Sequence, residues 1–149
     1  MIVGYTGTQK GMTTAQRFAV VWVLARGEAL PNFAEHGDCI GGDEEFHALC
    51  EDLGIPVGVR PCTVKAKRAF CKPSSGWVAP PMPPLHRNKQ TVKSVDFLIA
   101  TPAQDYEYPR SGTWATVRYA RERSERDREF AYIVIGPGGN VLENGGFIL

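Results

Sequence analysis

Two stretches, "VDFLIATP" at 95–102 and "FAYIVI" at 130–135, are apolar almost without a break. A strand buried on both faces has this composition, and such strands belong to parallel sheets covered by helices on either side. The remaining chain alternates in the same sense. "IVGY" at 2–5 is a short apolar run leading into a Thr/Gly cluster, and a helix follows over Thr13–Arg26, with Phe18, Val21, Trp22 and Ala25 recurring at three and four residues. Thr13 or Thr14 caps its start and Gly27 ends it. A second strand is expected at 32–38, a second helix at 43–53 with Phe46, Leu49, Cys50 and Leu53 on one face, and a third strand in "IPVGVRP" after the stop at Gly54.

A short helix at 86–94 precedes the 95–102 strand, and a longer one begins in "RSGTWATVRYA" at 110–120 and continues into "ARERSERDRE", where pairs such as Glu122 and Arg126 mark a solvated face. After the last apolar strand, "GPGG" reads as a turn and "NVLENGGFIL" as one or two short strands. The order predicts an open α/β fold: a mostly parallel sheet of about five strands, helices on both faces and a short C-terminal β addition. With 149 residues the chain suits a single domain spanning 1–149.

Between the third strand and the 86–94 helix, residues 61–85 hold six prolines interleaved with Lys65, Lys67, Arg68 and Lys72. Two readings stay open for this loop: a basic flap over an anionic ligand, or a solvated excursion. The formal net charge of +1 lacks the basic footprint of a nucleic-acid binder. The longest apolar run, Phe18–Ala25, is far shorter than the roughly 18 residues a membrane span needs. We therefore expect a cytoplasmic protein with neither nucleic acid nor membrane as partner. Cys39, Cys50, Cys62 and Cys71 contain no C-x-x-C pair and read as reduced thiols; Cys62 and Cys71 with His86 lack the spacing of a structural metal site, and neither a metal nor a cofactor is expected.

In open α/β sheets ligands sit beyond the carboxyl ends of the strands, where the strand order reverses. Each polar, glycine-rich cluster here follows a strand: "TGTQKGMT" at 6–13, "HGDCIGGD" at 36–43 and "TPAQDYEYPRSGT" at 101–113. In the first, Thr6, Gly7, Thr8, Gln9 and Thr13 supply backbone N–H groups and hydroxyls beside a helix start, which suits a phosphate as well as a plain turn and cap. The second offers carboxylates for ribose hydroxyls at Asp38 and Asp43 and an imidazole at His36, with Gly37 and Gly41 leaving room for ligand; helix capping by Asp43 is the structural alternative. The third contributes Pro102, Arg110, Ser111, Gly112, Thr113 and Thr116, and Arg87 with Asn88 can add a fork for phosphate.

The set "GYTGTQKGMT", "HGDCIGGDEEFH", "LHRN", "LIATP" and "RSGTWATVRYA" resembles, in order and over nearly the whole chain, the SLOG superfamily, which includes LOG-type and DprA-like proteins. The likeness is greatest to small stand-alone members of bacteria and phages. It implies a Rossmann-like, doubly wound sheet with a pocket for nucleotides or NAD- and ADP-ribose-derived signals, in some cases defence signals. LOG enzymes are phosphoribohydrolases with the signature P-G-G-x-G-T-x-x-E. Gly112 and Thr113 match its Gly-Thr, which carries phosphate binding to them and to Arg110 and Ser111, whereas Thr116 stands where the glutamate would be. Gln9 likewise replaces an expected arginine.

Two functions follow from the resemblance. In the first the domain holds a nucleotide-derived small molecule, to sense or sequester it, in a defence or anti-defence setting; Thr116 in the glutamate position supports it. In the second it is a nucleotide N-glycosidase in which Asp38, Asp43 or Glu44 supplies the missing carboxylate and His36 assists. A DNA-associated module in the manner of DprA is disfavoured by the near-neutral charge. Trp22, Trp77 and Trp114 exceed what a small sheet must bury, and a homo-oligomer is expected.

Overall fold

In the computed structural model, which describes residues 1–147, the chain runs through β1 (Ile2–Gly7), α1 (Thr14–Ala25), β2 (Phe33–His36), α2 (Gly42–Leu53), β3 (Val57–Val59), a 3-10 turn (Lys65–Lys67), α3 (Pro84–Ser94), β4 (Phe97–Thr101), α4 (Gly112–Arg126), β5 (Ala131–Ile135) and β6 (Val141–Gly145). One sheet holds the strands in the order β3-β2-β1-β4-β5-β6. The first five are parallel and β6 returns antiparallel on β5, which gives the Rossmann-like fold and its short terminal addition. The order reverses between β1 and β4, where Gly7 pairs with Thr101 at the carboxyl ends of both strands. Ile148 and Leu149, part of the expected terminal strands, lie outside the described residues.

Local chemistry sets the helix ends. Thr13 caps α1 through a reciprocal pair with Gln16, Gly54 closes α2 at φ 75°, and Ser111 accepts the Trp114 N–H at the start of α4. α3 starts two residues earlier than the sequence indicates, because Pro84 has a fixed φ suited to the first turn and no N–H to leave unpaired.

Two apolar layers flank the sheet. Val20, Val23, Leu24, Phe46 and Cys50 pack α1 and α2 on one face. Val92, Trp114, Val117 and Ala120 pack α3 and α4 on the other. The buried side of α1 is not the one expected from its spacing. Phe18 and Trp22 are 74% and 54% exposed, and the helix is seated instead by Val20, Val23, Leu24 and the buried Gln16, whose amide donates to the Pro102 and Ile135 carbonyls at 2.8 and 3.0 Å. Those two carbonyls lie at the ends of β4 and β5, and satisfying them turns the Gln16 side of the helix inward. Trp114 is buried as well, so it adds nothing to the aromatic surface that Trp22 and the half-exposed Trp77 present.

The proline-rich segment is hooked onto the sheet edge. Val59 exchanges backbone hydrogen bonds with Trp77 and Ala79, and Thr63 N–H donates to Met82. The segment thereby covers the edge of β3 that a sheet would otherwise leave open.

Candidate functional site

Thr6 and Gly7 at the end of β1, and Ala103 and Gln104 just past β4, open into a crevice of about 690 Å³, a volume suited to a small-molecule ligand. All three glycine-rich clusters reach it. Thr8, Gln9 and Lys10 come from the first, Gly37, Cys39 and Asp43 from the second, and Tyr108, Arg110, Ser111, Gly112, Thr113 and Thr116 from the third. α3 closes one wall with Pro84, Leu85, Arg87, Asn88 and Thr91, and the proline-rich segment supplies Lys67 and Cys62.

The wall carries four cations, Lys10, Lys67, Arg87 and Arg110, against the single carboxylate of Asp43. Arg87 is only 6% exposed, yet its guanidinium makes no ion pair among the described residues. Its hydrogen bonds run to the carbonyls of Gly37 and Arg60, to the Asn88 amide oxygen at 2.8 Å and to the Cys39 sulfur at 3.5 Å. Its hydrogen bonds all go to neutral acceptors, with Asp43 as a Coulombic partner that makes no direct contact, and a ligand anion would add a direct charged partner.

The start of α4 lines the same crevice. The Thr113 hydroxyl donates to the Gly7 carbonyl at 2.8 Å and so ties the helix to the end of β1, while the Thr116 hydroxyl turns back to the Gly112 carbonyl at 2.9 Å. Ser111 occupies the Trp114 N–H, but the N–H groups of Gly112 and Thr113 have no partner among the described residues. Gly112 has open space where a side chain would project, with only the Asn88 amide nitrogen at 4.0 Å. Free N–H groups, a helix dipole and nearby cations together make an anion position. No family model, curated protein or solved structure matches the chain.

α2 opens with three consecutive carboxylates, and the fold sends them in three directions. Asp43 faces the crevice and accepts the Cys39 N–H at 2.9 Å. Glu44 turns back to the Gly41 N–H at 2.9 Å and serves as a cap. Glu45 crosses to the loop before α1, where it accepts the Met12 N–H at 2.6 Å, and pairs with Arg17 of α1. Burial pushes the Asp43 carboxyl up to about 6, and the Arg87 charge and the Cys39 N–H limit the rise.

Several residues singled out from sequence stand outside the crevice wall. Thr13 is occupied as a cap, with its hydroxyl donating to Pro137. Gly41, at φ 93°, shapes the turn that lets Gly42 N–H reach the Thr8 carbonyl. Pro102 offers its carbonyl to Gln16. Asp38 is fully buried in a left-handed conformation, where its carboxylate takes Arg68 at 3.0 Å and the Cys71 N–H at 2.8 Å. Its role is to hold the proline-rich segment down.

His36 has both ring nitrogens committed. Asp38 N–H donates to Nδ1 at 2.9 Å, so the proton sits on Nε2 and is shared with His47 Nδ1 at 2.8 Å; His47 Nε2 lies 3.4 Å from Glu51. Burial, with help from His47 and Arg87, lowers His36 to about 3 and keeps it neutral. His36, His47 and Cys71 bring three ligand-type atoms within 4.8 Å of one another. The tautomers do not suit a metal, because the Nε2 lone pair needed for coordination carries the proton that His47 accepts. Burial also pushes the Cys71 thiol up to about 12.

Sequence reasoning missed Tyr5, Leu85, Gln104 and Tyr108 in the wall. Tyr5 lay hidden in a strand, and its hydroxyl reaches the crevice floor because Gly7 and Gly42 leave it room. "QDYEY" lay inside a cluster already marked, and its aromatic pair was the available signal.

Proposed function

We propose that the chain is an SLOG-type domain that holds a nucleotide or an NAD- or ADP-ribose-derived molecule in this crevice, to sense or sequester it. The observation that carries the reading is that the buried Arg87 guanidinium, which has no direct ion pair among the described residues, and the free N–H groups of Gly112 and Thr113 line one crevice. Both are partners for the anionic groups of a nucleotide. Tyr108 and Leu85 on the rim offer apolar surface for a base, and Asp43 offers an acceptor for ribose hydroxyls.

Hydrolysis of an N-glycosidic bond is a second reading, favoured by one observation. Of the candidates Asp38, Asp43, Glu44 and His36, Asp43 alone lines the crevice, and a carboxyl near 6 suits proton transfer. Incubation with nucleoside monophosphates, NAD, ADP-ribose and cyclic ADP-ribose, followed by mass spectrometry of filtrate and denatured protein, separates the two. Intact ligand recovered from the protein supports sequestration. Free base with ribose phosphate supports the enzyme, and full recovery of every compound intact in the filtrate, with none on the protein, overturns both.

A further inference from the structure

The linker 102–111 between β4 and α4 brings Gln104, Tyr108 and Arg110 to the crevice, yet few contacts hold its middle in place. Among the described residues, the hydrogen bonds and ion pairs of 103–110 come to one turn and one carboxylate. The Tyr108 carbonyl accepts the Ser111 N–H at 3.1 Å, and Glu107 pairs with Arg118 at 3.3 Å and with Arg121 at 2.6 Å. Gln104 keeps a buried Oε1 with no partner, and Tyr106 is 64% exposed. Glu107 is thus the side chain that ties this stretch to a helix.

The far side of the tie is itself fixed. Arg121 donates from Nε and Nη2 to the Glu143 carboxylate of β6 at 2.6 and 2.7 Å, and the Tyr132 hydroxyl of β5 donates to that carboxylate at 2.6 Å. Its Nη1 is the atom that meets Glu107. An isolated exposed ion pair contributes little, but a guanidinium already held as a fork loses little freedom on taking one more partner, and networks of charges are where surface pairs count. The Arg121 hydrogen bond also holds the Glu107 carboxyl below its ordinary range. Contacts therefore run from the sheet through Arg121 to the residue just before Tyr108.

We propose that Glu107 is a positioning residue of the crevice: by pinning the linker to Arg118 and Arg121 it keeps Tyr108 and Arg110 in the wall, set for a base and a phosphate. The inference rests on the proposed reading of the crevice. Without the tie a ligand must order the linker as it binds, and that cost is taken from the affinity.

Glu107→Gln keeps the size of the side chain and removes its charge. Chymotrypsin cleavage after Tyr106 and Tyr108 in the ligand-free protein reports opening of the linker, and calorimetric titration of adenosine 5′-monophosphate and ADP-ribose reports positioning. Cleavage is expected to rise and affinity to fall, each roughly fivefold, with the thermal melt unchanged. In a Tyr108→Ala, Arg110→Ala background the same substitution is expected to leave affinity as it is, since nothing remains to be positioned. Where the native chain binds, a native cleavage rate or native affinity in Glu107→Gln, or an equal loss in the doubly substituted background, overturns the inference and leaves the crevice reading intact. Where the native chain binds neither compound, the crevice reading falls and cleavage decides the pinning: a faster cut in Glu107→Gln supports it, and an unchanged one overturns it.

Discussion

The guanidinium of Arg87 lies so close to the backbone of Gly37 that a β-carbon at residue 37 would come within 2.6 Å of Nη1. Gly37 therefore sets the position of the one buried cation in the crevice, and its own carbonyl accepts from that cation. Gly37→Ala is expected to push Arg87 off its seat and to weaken phosphate binding about as much as Arg87→Gln does, roughly 10-fold or more for a charged hydrogen bond. Calorimetric titration of both variants checks this. Native affinity in a folded Gly37→Ala protein contradicts it.

Asp43 and His36 act on stability in opposite senses over the same acid range. Asp43 titrates near 6 in the folded chain, above its ordinary 3.8, so its cost is present above pH 6 and is relieved as the pH falls through that value. His36 titrates near 3, below its ordinary 6.5, so its contribution is present above pH 6.5 and is lost as the pH falls towards 3. Asp43→Asn removes the first effect. It is expected to raise stability at pH 7.5 by on the order of 1–3 kcal/mol and to leave a stability that declines steadily below pH 6.5. Urea melts at pH 7.5, 5.5 and 4.5 read this out, and a variant no more stable than the native chain at pH 7.5 contradicts it.

The two faces of α1 give opposite mutational costs. Phe18→Ser and Trp22→Ser are expected to stay within about 0.5 kcal/mol of the native stability, since both side chains are exposed. Leu24→Ala, by contrast, is expected to cost about 2–5 kcal/mol, because Leu24 is 2% exposed in the core. Comparable costs at Trp22 and Leu24 would contradict the seating of the helix.

Ser111 caps α4 through the Trp114 N–H at 3.2 Å. Ser111→Ala is expected to lose about 1 kcal/mol in denaturant unfolding. Ser111→Asp keeps the cap but adds a negative charge at the anion position, so it is expected to hold stability and weaken phosphate binding. Equal phosphate affinity in Ser111→Asp and the native chain would remove Ser111 from the site.

Much of this architecture was legible in the sequence because the strands announce themselves. Continuous apolar runs at 97–101 and 131–135 and the glycine clusters after strands gave the sheet, its parallel sense and the edge where the crevice lies. The face of α1 was not legible. Its residues from Phe18 to Ala25 are apolar nearly all round, and a buried glutamine satisfying two strand-end carbonyls decides the rotation. The fates of Asp38, Asp43, Glu44 and Glu45 were equally hidden, since four carboxylates within eight residues look alike until partners from distant segments, Arg68, Cys39, Gly41 and Met12, divide them. Arg87 with Asn88 reads as a fork for phosphate, but its burial is not legible and follows from its seat against Gly37.

The most direct test of the crevice reading is calorimetric titration of adenosine 5′-monophosphate and ADP-ribose into the native chain and Gly112→Asp. Residue 112 has open space for a side chain, so the substitution leaves the fold and puts a carboxylate where the phosphate is expected. Binding of at least one of the two by the native chain, lost by roughly 10-fold or more in a variant with unchanged thermal stability, is the predicted result. Equal affinity in both proteins, or no binding of either compound to the native chain, would contradict the account.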